Sequence, residues 1–118
     1  RLSIAYEKGN MKNLDKDGDG KDDTLQISMT NKVGSGSVTA DLKLYVDGMD
    51  MTEAATLQVA GRNPERVKPS MYLYSNYGDA ILMEIKHDGK IGHGRHKVSL
   101  QATVGWETFS SDIEDTIP

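Results

Sequence analysis

Residues Asp15 to Asp23 read Asp-Lys-Asp-Gly-Asp-Gly-Lys-Asp-Asp. With Asp15 as loop position 1, carboxylates fall at positions 1, 3, 5 and 9 and a glycine at position 6, the spacing that wraps oxygen ligands around Ca²⁺. Alternating acids converge on one point only if the backbone curls tightly. Gly20 supplies the dihedral freedom for that curl, and Lys21 at position 7 offers its main-chain carbonyl. The predicted metal set is Asp15, Asp17, Asp19, Lys21 through its carbonyl, and Asp23, with Ca²⁺ as the cofactor. Hard oxygen ligands with no His or Cys among them suit Ca²⁺ or Mg²⁺ rather than a transition metal.

The loop departs from a helix-loop-helix site. Position 12, which there carries a bidentate Glu, is Gln26, and it falls in a segment with strand periodicity. Asp22 and Asp23 can supply the missing charge, and Asn13 one more oxygen. The competing reading is a solvated acidic turn, because Gly, Asp and Lys also build ordinary exposed turns. Five Asp in nine residues, with a glycine at the bend, weigh for the cation. Without an ion these carboxylates repel one another, so binding should order the loop and stabilise the fold by mass action.

Such a loop needs rigid elements on either side. Apolar and polar residues alternate with a period of two over 2–6, 25–29, 38–46, 57–59, 71–73, 81–85 and 98–104, giving seven strand candidates. Turn signals lie between them at 31–36, Asp47-Gly48, 61–64, 76–79 and Asp88-Gly89. No sustained 3.6-residue period occurs, and the best helical candidate is a single turn at 51–55 with Thr52 as its cap. Two-faced strands without helices must be covered by a second sheet. The expectation is an all-β, immunoglobulin-like antiparallel β-sandwich of seven to eight strands. The segment 106–118 reads either as an eighth edge strand or as the start of a linker.

A chain of 118 residues is long enough for one domain with its own core and too short for two ordinary ones. The net charge is −4, and no basic cluster or basic-aromatic interleaving appears, which argues against nucleic acid. The absence of cysteine removes disulfides, thiolate zinc sites and a Cys nucleophile. No run of 18 apolar residues marks a membrane span. A single-loop calcium site belongs with the weak affinities of extracellular modules, so an extracellular or cell-surface setting is expected. The start at Arg1, without an initiator Met or an apolar leader, reads as a piece of a larger secreted or surface protein with neighbouring domains.

Asn31, Gly34 and Ala40, followed by Leu42-Lys43-Leu44-Tyr45-Val46-Asp47-Gly48, resemble the immunoglobulin-like CARDB family, the cell-adhesion-related domains of bacteria and archaea. The run Gly94-Arg95-His96-Lys97-Val98-Ser99-Leu100-Gln101-Ala102 resembles the late strand entry of that family. The family usually lacks an Asp-rich loop between its first two strands and has a shorter middle than the one from Val67 to Gly92 here. The resemblance implies an adhesion or accessory module and no catalytic residues.

Other constellations are weaker. His87, His93 and His96 fall within one expected hairpin, but strand geometry sends 93 and 96 to opposite faces, and a transition-metal cage would want carboxylate or Cys support placed nearby. Met29, Met71 and Met83 fall on inward positions as core filling, leaving Met49 and Met51 loose. Tyr72 and Tyr74, out of phase with Met71 and Leu73, should face outward and with Trp106 form a candidate ligand platform. A polysaccharide would stack on such rings, although tyrosines are also ordinary strand formers. Ser99 or Ser110 beside His96 gives no nucleophile-elbow pattern. The sequence thus points to a non-catalytic calcium-binding adhesion or structural module. The alternatives are a carbohydrate-binding module of a secreted hydrolase and a surface-appendage subunit or anchor that binds a partner by its edge strands.

Overall fold

Alternation of this kind produces strands, and the computed structural model, which describes residues 6–118, has ten. They are β1 (Met11–Leu14), β2 (Thr24–Thr30), β3 (Gly36–Val46), β4 (Met49–Asp50), β5 (Ala55–Val59), β6 (Glu65–Arg66), β7 (Met71–Ser75), β8 (Ala80–Lys86), β9 (Gly94–Val104) and β10 (Glu107–Ile117). The sheets run β1-β2-β8-β5-β6 and β10-β9-β3-β4, with β7 also paired to β3. Every pairing is antiparallel. The all-β antiparallel sandwich expected from the periodicity is the fold of the chain.

The strand count exceeds the seven to eight expected because β1, β4 and β6, of four, two and two residues, are too short to show an alternation. The expected strand at Leu2 and Ile4 lies outside the described residues. The ambiguous tail is a strand: β10 pairs β9 along all eleven of its residues and buries Ile113 and Ile117. The helical turn at 51–55 is a 3-10 turn at Thr52–Ala54, but Thr52 is not its cap. Met51 holds that position, while Thr52 Oγ1 donates to Asp50 Oδ1 at 2.6 Å and accepts from the Leu44 N–H at 3.0 Å. Met51 is not loose either, since its side chain is part of the core; Met49 alone is exposed.

One apolar cluster joins both sheets. Leu25, Ile27, Ala55 and Ile85 of the first sheet meet Leu44, Val46, Val98 and Ile113 of the second, all nearly or wholly buried. Each large side chain so buried stabilises the fold by about 1.5–3 kcal/mol. Strand direction then sorts the connections into two ends. The β1–β2 loop, the Asp47-Gly48 turn and the β8–β9 loop share one end, as the pairs Leu14↔Thr24, Thr24↔Lys86 and Val46↔Val98 require. The β2–β3, β5–β6, β7–β8 and β9–β10 connections share the other.

Candidate metal centre

The acid loop is the nine-residue connection of the β1–β2 hairpin, closed by the Asp23 N–H to the Leu14 carbonyl at 2.8 Å. Inside it, aspartate side chains bind the backbone and fix its curl. Asp15 accepts from the N–H groups of Gly18 and Gly20, each at 2.8 Å. Asp17 Oδ1 accepts from the Asp19 N–H at 3.1 Å, and Asp19 Oδ1 from the Lys21 N–H at 2.8 Å. Asp23 Oδ2 receives the N–H groups of Lys16 and Asp17 at 3.1 and 3.2 Å, and its Oδ1 the Thr24 hydroxyl at 2.6 Å. Gly20 sits at φ +88°, the left-handed conformation that the bend demands.

The result is convergence. One carboxylate oxygen from each of Asp15, Asp17, Asp19 and Asp23 lies within 4.8 Å of the others, an arrangement that could hold a metal ion. Asp23 is buried and the other three are exposed, so the cluster opens to solvent on one side. Asp22 is not among the four. Lys21 lies in the exposed part of the loop, where its N–H serves Asp19.

Protonation preferences follow from these bonds. The Gly20 N–H holds the Asp15 carboxyl below its ordinary value, and the Thr24 hydroxyl does the same for Asp23. Asp17 goes the other way. The Asp19 N–H pulls it down, but desolvation and the facing Asp15 and Asp19 carboxylates outweigh that bond and leave it raised. Crowded like charges are the cause, and a cation among them would reverse the sign.

Asn13, expected to add an oxygen to the loop, and Gln26, which stands at loop position 12, both find partners elsewhere. Asn13 gives no ligand oxygen: its Oδ1 faces His87 Nε2 at 2.7 Å and its Nδ2 donates to the Ile91 carbonyl at 2.8 Å. Gln26 donates to Glu84 Oε2 at 2.8 Å on the outer face of the first sheet, where Lys16 Nζ meets Glu84 Oε1 at 2.7 Å. The β8–β9 loop backs the site, because the N–H groups of His87 and Asp88 both bind the Asp23 carbonyl, at 2.7 and 3.2 Å. Sequence reasoning missed Glu84 and the backing role of His87. Both sit more than 60 residues along the chain from the loop, and only the β2–β8 register brings them near.

The three histidines take separate partners. His87 is buried against Asn13, His93 Nδ1 faces the Pro118 carbonyl at 2.6 Å, and His96 lies between Asp47 and Gly92. Among the aromatics, Tyr72 and Tyr74 point outward from β7, 63% and 46% exposed, opposite the small residues Thr39 and Ser37 of β3. The Arg62 guanidinium stands 5.2 Å from the Tyr74 ring centre and donates to the Tyr74 carbonyl. Trp106 is fully exposed, but it sits in the β9–β10 turn rather than on the strand that carries the tyrosines.

No family model matches the chain, and no curated protein matches it. Solved structures that share its outline weakly include a glycoside hydrolase and two GAE domains. A family 123 glycoside hydrolase from Clostridium perfringens is 13% identical with a TM-score of 0.43; all of this chain is covered, but only 27% of the hydrolase. The GAE domain of GGA2p from Saccharomyces cerevisiae is 13% identical with a TM-score of 0.38, covering 100% of this chain and 98% of that domain. A yeast GGA1 GAE domain is 11% identical with a TM-score of 0.38, with both chains covered in full. Likeness at this level transfers no function.

Proposed function

We propose that this domain is a calcium-stabilised, non-catalytic interaction module of a secreted or cell-surface prokaryotic protein. The convergence of Asp15, Asp17, Asp19 and Asp23 within 4.8 Å in a loop whose own N–H groups orient the carboxylates carries the reading. Ca²⁺ suits the loop better than Mg²⁺, because it tolerates irregular oxygen cages where Mg²⁺ demands near-octahedral geometry and keeps its water. The ion would supply positive charge at the point where the carboxylates crowd. The chain's own contribution is orientation: Gly18 and Gly20 aim Asp15, and the Lys16, Asp17 and Thr24 donors aim Asp23. Asp23 also ties the loop to β8–β9 through its carbonyl, so ordering the loop stiffens that end of the sandwich. An adhesive role towards neighbouring domains or a surface partner is what the resemblance to CARDB domains implies.

Thermal melts in excess EDTA and in millimolar CaCl₂ test this. The midpoint rises by several degrees with Ca²⁺ in the native chain and stays put in Asp17→Ala and Asp19→Ala. An unchanged native midpoint rejects the metal site and, with it, the argument for an extracellular setting.

A second reading, polysaccharide binding, is favoured by Tyr72 standing 63% exposed beside Thr39, which leaves its ring face accessible. Retention on immobilised polysaccharides should vanish in Tyr72→Ala and Tyr74→Ala while folding is unaffected. A native chain that is never retained rejects it.

A further inference from the structure

His96 on β9 has an acceptor on each ring nitrogen. Its Nδ1 lies 2.5 Å from Asp47 Oδ2 in the β3–β4 turn, and its Nε2 lies 2.7 Å from the Gly92 carbonyl in the β8–β9 loop. Neither partner can donate, and a neutral imidazole carries a single N–H. Only the imidazolium satisfies both. We propose that His96 is a protonation-dependent clasp that, when charged, ties the β3–β4 turn to the β8–β9 loop and, when neutral, releases one of them.

The surroundings fit a cation that is held in place. Asp47 is fixed by its own backbone bonds to Lys97: its N–H donates to the Lys97 carbonyl at 2.8 Å, and its Oδ1 accepts from the Lys97 N–H at 2.9 Å. It does so at φ +51°, a left-handed conformation that Asp tolerates in a tight turn. Across the sheet, β10 presents the buried Asp115 directly opposite His96, with Glu114 beside it opposite Lys97. Arg95 and Lys97 flank His96 on its own strand, and the β8–β9 loop brings His87, Asp88 and His93. Burial works against the charge on His96, yet Asp47 and Gly92 outweigh it and leave the group above its ordinary value of 6.5.

His87, at the start of the same loop, has the opposite arrangement. Its Nδ1 accepts from the N–H groups of Gly89 and Ile91 at 3.1 and 3.2 Å, so its proton must sit on Nε2, facing Asn13 Oδ1. The loop thus hangs between a neutral histidine that accepts and a charged one that donates. A positive His96 also disfavours a second charge on His87. The same loop supplies the two N–H groups on the Asp23 carbonyl, so the clasp bears on the acid-loop end of the domain.

The sign follows from linkage. A group whose affinity for its proton is higher in the folded chain stabilises it fully below the ordinary value and ceases to do so as pH rises through the raised one. Two measurements in excess EDTA, which takes the acid loop's ion out of play, test the clasp. An NMR titration of the native chain should place the His96 imidazole above 6.5, and Asp47→Asn should move it down. Between about pH 5.5 and about pH 8.5, the native melting midpoint should fall by a few degrees relative to His96→Gln. Titration of His96 at or below 6.5, or native and variant midpoints that run in parallel, overturns the proposal. If His96→Gln does not fold, the native and Asp47→Asn titrations decide alone.

Discussion

The two ends of the sandwich are built on different terms. At the acid-loop end, the wholly buried Leu25, Ala55, Ile85 and Val98 are roofed by polar ties that each name a partner. These are Asn13 to His87, His96 to Asp47 and Gly92, and the Asp23 carbonyl to two N–H groups. At the opposite end, an apolar cavity of about 210 Å³ opens between the sheets, lined by residues such as Leu42, Leu73, Ile81, Leu100 and Phe109 that are only half-buried. Val33 and Val38 there are each 44% exposed. Atoms lining a cavity lack partners on one side, so the same side chain contributes less there than in the closed end. Close packing follows the loops that pin the two sheets together.

The sharpest way to break this contrast is to truncate equivalent residues of one strand. Ile85→Ala at the closed end should cost about 3–4 kcal/mol in urea unfolding, and Ile81→Ala at the open end roughly 1 kcal/mol. Equal losses would show that the cavity is collapsed in solution. Next comes the proposed Ca²⁺: its addition should raise the melting midpoint by several degrees and slow amide exchange in the β8–β9 loop at His87 and Asp88, the donors to Asp23.

Smaller effects separate crowded from satisfied carboxylates. Asp115 is a buried acid satisfied by donors: Tyr6 donates to its Oδ2 at 2.5 Å and the Gly9 N–H at 2.8 Å. The Tyr6 bond, then those from Gly9 and Thr116, hold its carboxyl below the ordinary value of 3.8. The folded chain therefore gains stability from Asp115 above that value and loses it as pH falls through the depressed one. Tyr6→Phe should cost about 1–2 kcal/mol near neutral pH and much less in acid, read by urea unfolding at each pH. At the open end, Ala102→Leu should fill part of the cavity and gain about 0.5–1 kcal/mol. A loss there would mean that the lining cannot admit more volume.

Legibility divided along the same line. Strands of five residues or more announced themselves by alternation wherever one face is buried, as in β2, β3 and β8. The tail stayed ambiguous because Asp115 occupies an inward position between Ile113 and Ile117, which breaks the apolar pattern. Its bonds to the Tyr6 hydroxyl and the Gly9 N–H, 109 and 106 residues away, make that position acceptable. Met51 looked loose because nothing local says that a 3-10 turn folds it into the core.

By itself the sequence determined the alternating strands, the sandwich they imply and the acid loop, because these depend on periods of two and on side chains bonding to backbone a few residues away. The Asp15 to Gly20 bonds and the bend at Gly20 would arise in almost any hairpin that carried them. Tertiary structure alone decided what the loop leans on. Asn13 turned from ligand to brace, Gln26 found Glu84, and His96 came between Asp47 and Gly92, each through strand register. A register is fixed by how the whole apolar face is buried, so it is a property of both sheets packed together.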